Sequence, residues 1–283
     1  MSSFHRSNDR KQGWSPNPGQ TRSGHKNKGL RPSDAAAKDW LWGVHAVEAA
    51  LSNPARPAPQ RLTVNPERAR EVANLVKRLG LTVDIQQMEN GDIARLLPMG
   101  AVHQGIALKT AELEPVDLAD LATPAQGVLL MLDQITDPQN IGAIFRSAAA
   151  FGAKGVILQD RHAPALTGAL AKAAAGGIER CPHARVVNLS RSLDELIDLG
   201  WRTVGLAGGG EQDLDAVVDG SPVVLVLGSE GEGLRRLVAE RCDQLARIGL
   251  AGGMESLNVS AAAAVALYAA TRARAASETG NGA

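Results

Sequence analysis

The chain has 283 residues, room for one large domain or two modest ones with a tail. Hydrophobic content of 44% and charged content of 21% are those of an ordinary globular protein, and aromatics at 3% argue against an aromatic platform for stacking RNA bases. A net charge of +0 speaks, taken alone, against a nucleic-acid partner, but the charge is unevenly spread.

Residues 1–38 hold eight basic residues (Arg6, Arg10, Lys11, Arg22, Lys26, Lys28, Arg31 and Lys38) against Asp9 and Asp34. Rich in Ser, Asn, Gly, Pro and Arg, this stretch has too little apolar surface to offset its ordering entropy. It reads as a disordered basic tail on a mildly acidic body, a layout suited to polyanions. From residue 39 to 113 the pattern predicts a small α/β unit: a helix over Val44–Leu51, a strand over Arg61–Val64, a helix over Glu67–Leu79, and strands over Leu81–Ile85 and Ala101–Leu108. A linker over 114–126 is punctuated by Pro115 and Pro124. The second domain, 127–277, carries apolar runs at Val128–Leu132, Val156–Leu158, Arg185–Val187, Thr203–Leu206, Val223–Leu227 and Leu245–Ile248, with helical stretches between most of them. That alternation predicts a parallel sheet covered on both faces.

Three segments of this domain carry polar residues in excess of structural need. After the first strand comes Asp137-Pro138-Gln139-Asn140-Ile141-Gly142 and then Arg146. Asn140 is placed to cap a helix running to Phe151. Ile141, Ile144, Phe145 and Ala148 form its buried stripe, which Arg146 leaves. An Arg near a helix start is a natural phosphate grip, although a capping Asn and a solvated Arg explain the pair equally well. Further on, Leu227-Gly228-Ser229-Glu230-Gly231-Glu232-Gly233 follows a strand late in the chain, where nucleotide folds place no glycine loop. Its two carboxylates repel phosphate and no Gly-Lys-Ser/Thr follows, so a P-loop is excluded. A ligand with a cationic centre, such as S-adenosylmethionine, fits better. Finally, Ser256, Asn258 and Ser260 offer three caps where one helix start needs one.

Taken in order, these motifs resemble those of the SpoU (TrmH) family, RNA ribose 2′-O-methyltransferases of the SPOUT class. Gly43–Ala49 and Val102–Ile106 resemble the ribosomal-protein-L30e-like substrate domain of some members. The pairing is most similar to members that methylate a guanosine of 23S ribosomal RNA. The resemblance implies a C-terminal α/β fold with a trefoil knot, a mostly parallel sheet with helices on both faces, S-adenosylmethionine as cofactor, and a homodimer with its sites at the interface. Carried over by position, Asn140, Arg146, Glu230, Ser256 and Asn258 match the catalytic set. Leu227, Gly228, Gly231, Ile248, Leu250, Leu257 and Ser260 fall in the cofactor-binding segments. The chain departs from the family pattern at Ile248-Gly249-Leu250, where a proline and a methionine are common, and at Ala173-Ala174-Ala175, where a serine often precedes the run from Gly176 to Glu179.

Methyl transfer from a sulfonium needs alignment more than activation. Arg146 is too basic to act as a base at neutral pH, so it is expected to position phosphate or ribose, held by Asn140, Glu230, Ser256 and Asn258. No metal is expected. Transfer RNA as substrate and a non-catalytic RNA-binding assembly factor remain open. Cys181 and Cys242 lack CxxC spacing, which fits a reducing compartment. With no apolar leader, and with Ala261–Ala270 short of the about 20 residues a span requires, the expected location is the cytoplasm, away from membranes.

Overall fold

In the computed structural model residues 39–252 and 254–280 are described; the tail expected over 1–38 lies outside the described residues. The chain opens with β1 (Trp40–Trp42), α1 (Val44–Ser52), β2 (Arg61–Val64), α2 (Pro66–Arg78), β3 (Ile85–Gln87), α3 (Asn90–Leu96) and β4 (Ile106–Lys109). Helix α2 illustrates the local logic. Asn65 accepts from Arg68 N, Pro66 occupies the first turn with Glu67, and Lys77 and Arg78 close the last turn, so both ends match the helix dipole. The four strands run in the order β1-β4-β2-β3, with β4 antiparallel to both neighbours and β2 parallel to β3.

Two strands differ from their sequence expectation. The strand expected over Leu81–Ile85 lies at Ile85–Gln87, where it pairs with Leu62–Val64. The one expected over Ala101–Leu108 begins only at Ile106, because Gln104 and Gly105 both take positive φ (56° and 79°) and turn the chain just before it. The Trp40–Trp42 strand and helix α3 were not legible from periodicity.

The segment expected as a linker is docked. Val116 N donates to His183 O at 2.9 Å, α4 (Leu118–Ala122) buries Leu121 and Ala122, and Trp201 Nε1 donates to Ala122 O at 2.8 Å. There follow β5 (Val128–Leu132), α5 (Pro138–Ala150), β6 (Gly155–Gln159), α6 (Gly168–Ala174), a 3-10 turn (Gly177–Glu179), β7 (His183–Val186) and α7 (Leu189–Asp198). The chain continues through β8 (Arg202–Leu206), β9 (Gln212–Asp213), α8 (Leu214–Val217), β10 (Val223–Leu227), α9 (Arg236–Ala239), β11 (Gln244–Arg247) and α10 (Val259–Gly280). Seven strands lie in the order β7-β6-β5-β10-β8-β11-β9, and every neighbouring pair is parallel.

Strands β5, β6 and β10 are buried at every position, which is why they read as unbroken apolar runs. Alternate residues serve opposite faces. Leu130, Leu132, Leu225 and Leu227 join Ile141, Ile144, Phe145 and Leu267 of α5 and α10. Leu129, Met131, Val224 and Val226 join Leu189, Leu193, Leu196 and Trp201 on the other side. Each such side chain contributes about 1.5–3 kcal/mol of burial. The chain runs outward from β5 through β6 to β7, then returns to build the other half. The order therefore reverses between β5 and β10, the place where parallel sheets gather ligands at their strand C-termini.

Candidate functional site

At that reversal, Leu132 and Leu227 are register partners, so the loops after β5 and β10 leave the sheet side by side. Asp133 N donates to Leu227 O at 2.8 Å. The Asp133 carboxylate, fully buried, accepts from Arg235 N at 2.9 Å and Arg235 Nε at 2.7 Å. The glycine loop is thereby pinned at both ends. Within it, Ser229 and Gly233 exchange backbone bonds at 3.1 and 3.0 Å, and a Cβ on Gly228 would collide with the backbone of Gly233. Gly231, at φ 93°, completes the tight reversal. The glycines serve the loop's own closure, and the loop presents Glu230.

Helix α5 brings the second component. Its cap is Asp137, which accepts from Gln139 N at 3.0 Å, and not Asn140 as its sequence position suggests. Pro138 fixes the first helical turn one step earlier, and the Asn140 side chain is left for other work. Its Nδ2 donates to Glu230 Oε1 at 3.1 Å. Asn258 supplies the third component. Its Nδ2 donates to Asn140 Oδ1 at 3.0 Å and to Glu230 Oε1 at 2.6 Å. Its Oδ1 accepts from Ser260 N at 2.9 Å and Ser260 Oγ at 2.6 Å, capping α10. Val259 N adds a longer bond to Glu230 Oε1 at 3.4 Å. Three segments, 90 and 28 residues apart along the chain, thus close one network, with the carboxylate seated at a helix start that favours negative charge.

The remaining expected residues lie around this network without joining it. Ser256 and Leu257 are exposed just before α10, while Ile248 and Leu250 are partly buried just after β11. Leu227 and Gly228 form the root of the glycine loop. Arg146 is exposed, and among the described residues no hydrogen bond or ion pair engages it. The expectation that Asn140, Glu230, Ser256 and Asn258 hold Arg146 is not met within one chain. Six helical residues put Arg146 about 9 Å along α5 from Asn140 and on another face.

A second glycine loop, Gly208-Gly209-Gly210 after β8, escaped sequence reasoning although three glycines behind an apolar run mark it. Ala207 N donates to Ala246 O at 3.0 Å, and a Cβ on Gly210 would lie 2.7 Å from the Ala246 carbonyl carbon. A Cβ on Gly209, Gly231 or Gly233 would meet nothing, so backbone here faces open space. Loops from β8, β10 and β11 therefore border one edge with exposed backbone, part-buried Leu206, Ile248 and Leu250, and the acids Glu230 and Glu232. That set suits a ligand with an apolar body and a positive centre and resists a polyphosphate.

A cleft of about 700 Å³ lies elsewhere, between α1, α2 and the 3-10 turn, and holds none of the expected site residues. Among the described residues no group of three or more His, Cys, Asp or Glu stands where it could hold a metal ion, and no helix is long and apolar enough to cross a membrane. Burial pushes both the Cys181 and Cys242 thiols up to about 12, so neither is a ready nucleophile.

Residues 127–268 match the SpoU rRNA methylase family, and residues 40–116 match the family of RNA 2′-O ribose methyltransferase substrate-binding domains. The chain belongs to the SpoU methylase family. An uncharacterized tRNA/rRNA methyltransferase of Synechocystis sp. is 40% identical over 240 residues, covering 82% of this chain and 62% of that protein. One of Mycobacterium avium is 39% identical over 221 residues, covering 77% and 68%. The chain thus spans about three fifths of the Synechocystis protein's length. Among solved structures, the SpoU methyltransferase AviRb of Streptomyces viridochromogenes, in complex with the cofactor AdoMet, superposes with a TM-score of 0.72 at 25% identity, covering 89% of this chain and 94% of that one. The family assignment falls on both sheets, and the three networked residues all lie within 127–268.

Proposed function

We propose that this protein transfers a methyl group from S-adenosylmethionine to a ribose 2′-hydroxyl of RNA, and that its target is a guanosine of 23S ribosomal RNA. The observation that carries this reading is the closed network of Asn140, Glu230 and Asn258 at the sheet's reversal point, beside an edge suited to a sulfonium compound. The AdoMet-bound relative supports the cofactor, and the matched substrate-binding unit supports RNA. The smaller unit favours ribosomal over transfer RNA by resemblance alone.

S-adenosylmethionine, when bound, supplies an electrophilic methyl on a positive sulfur. The loop at Leu227, Gly228 and Gly231, with Ile248, Leu250, Leu257 and Ser260, would hold it against the ends of β8, β10 and β11. The chain's own residues do the rest. Asn140 and Asn258 fix Glu230 Oε1, which leaves Oε2, without a partner among the described residues, to accept the proton of the attacking hydroxyl. Arg146 acts as a phosphate or ribose clamp. Ser256, exposed before α10, would meet the ribose. A homodimer, with sites at its interface, is supported by the exposed apolar face of α10, where Val265 (42% exposed) and Tyr268 (55%) border a groove of about 410 Å³.

The test is incubation with labelled S-adenosylmethionine and total ribosomal RNA, followed by nucleoside analysis. Label in 2′-O-methylguanosine supports the reading; RNA binding without transfer supports an assembly factor instead. Arg146→Ala is expected to lower kcat by roughly 10²-fold or more while calorimetric cofactor affinity holds. Full turnover in that variant would remove Arg146 from the site.

A further inference from the structure

Besides the bonds that Glu112 accepts from Leu166 N at 2.7 Å and Arg185 Nη2 at 2.8 Å, two side-chain ties join the substrate-binding unit to the methylase unit, and both land on the stretch from α6 to the 3-10 turn. Glu179, at the end of that turn, has a side chain only 5% exposed against Arg56 at 2%. Arg56 grips it through Nη2 and through Nε at 3.3 Å, and Asn53 Nδ2 adds a bond of 2.8 Å to the same carboxylate. Arg56 Nη1 also donates to Ala111 O at 2.9 Å, so the guanidinium is itself anchored near the end of the substrate-binding unit. The other tie is Lys172 Nζ to Gln104 Oε1, an oxygen that also accepts Val44 N at 3.2 Å at the start of α1.

On its far side this stretch is pressed onto α5. A Cβ on Gly177 would lie 2.9 Å from both Cα and N of Arg146, and one on Gly176 would lie 2.7 Å from the Ala49 Cβ of α1. One turn of chain therefore separates α1 from the backbone that carries Arg146. Packing alone does not call for ions here, because an apolar pair of similar volume holds such a junction as well or better. What a forked guanidinium–carboxylate contact adds is a fixed angle.

We propose that Glu179 is a positioning residue: gripped by Arg56 and Asn53, it sets the angle of the substrate-binding unit against the turn of α5 that bears Arg146. RNA held on one unit then meets the reacting groups of the other at a set offset. The proposal rests on the methyl-transfer reading for its consequence, not for its geometry.

The test compares Glu179→Leu with the paired Arg56→Met/Glu179→Leu variant in the full chain. The single change strands a buried charge and lowers the melting temperature; the pair restores packing and is expected to restore the melting temperature. A purely structural role predicts that kcat returns with it. A positioning role predicts that kcat for RNA stays down by roughly tenfold or more, while the Kd for S-adenosylmethionine stays within about twofold of the parent. Hydrogen exchange at residues 144–147 gives a readout that needs no turnover: faster exchange in the paired variant supports the proposal. Parent-like kcat or parent-like exchange in that variant overturns it. A parent protein that methylates no RNA would defeat the functional reading and leave the exchange measurement to decide the positioning.

Discussion

His183 is an ionisable residue held almost out of water. It is 3% exposed, its ring meets Phe145 edge-on at 6.3 Å, and its Nε2 finds no partner among the described residues. Burial above all, then the charges of Arg185 and Arg56, lowers its pKa to about 4. The unfolded chain binds this proton near pH 6.5, so between those values the unfolded state holds the extra proton. Stability from this site is therefore full above about pH 6.5, falls as pH drops, and levels off near pH 4 after a loss of about 3 kcal/mol. Urea melts at pH 7.5 and 4.5 of parent and His183→Leu check it: the variant should lose that part of the acid slope. An equal slope in both proteins would mean His183 is not buried neutral. Sequence gave no hint of this, since a lone His beside an Arg-containing strand has no periodic signature.

At the scale of elements, the glycine loop makes the sharpest demand. Gly228 has no room for a Cβ, because backbone and not a flexible side chain stands in the way, whereas Gly209 has open space. Gly228→Ala is expected to cost about 1–3 kcal/mol and to move Glu230 away from Asn140 and Asn258, with cofactor affinity falling in calorimetry. Gly209→Ala should leave the melting temperature near that of the parent. A Gly228→Ala protein as stable as Gly209→Ala would mean the loop is looser than its geometry. The same loop marks where sequence reading succeeds and fails. The buried strands Val128–Leu132 and Val223–Leu227 are legible to the residue, because a strand covered on both faces has no choice but apolar side chains. The polar triad Asn140, Glu230 and Asn258 is legible as a surplus of short polar groups. Asn140 reads as a cap in the sequence because Asp137 and Asn140, three positions apart, both suit that role, and the winner depends on where Pro138 starts the helix. Asp133 with Arg235 leaves no trace in the sequence, since an ion pair between loops 102 residues apart has no local pattern.

For the whole molecule, the apolar face of α10 carries the prediction. Tyr268 meets Phe151 at 6.1 Å with its ring otherwise exposed, and Val265 stands beside it. If this face is buried between two copies, Tyr268→Glu shifts the protein from dimer to monomer in sedimentation velocity without lowering helix content. A parent protein that already sediments as a monomer would sink the dimer. Neither the docked Leu118–Ala122 segment nor the angle between the two sheets was legible, for both rest on contacts such as Trp201 with Ala122 and Arg56 with Glu179 that join distant stretches.

The middle strand of the large sheet, β10, lies between β5 and β8, both of which precede it in the chain. A ribosome delivers the polypeptide from its N-terminus, so β5 and β8 are both translated before the strand that unites them. Whatever they form beforehand must keep a slot open for a latecomer. A product cut short before Val223 has no centre, and one cut short before Asn258 has no closed polar network. Copies cut short before Asn258 therefore lack the closed network, which comes into being only once the start of the last helix is made.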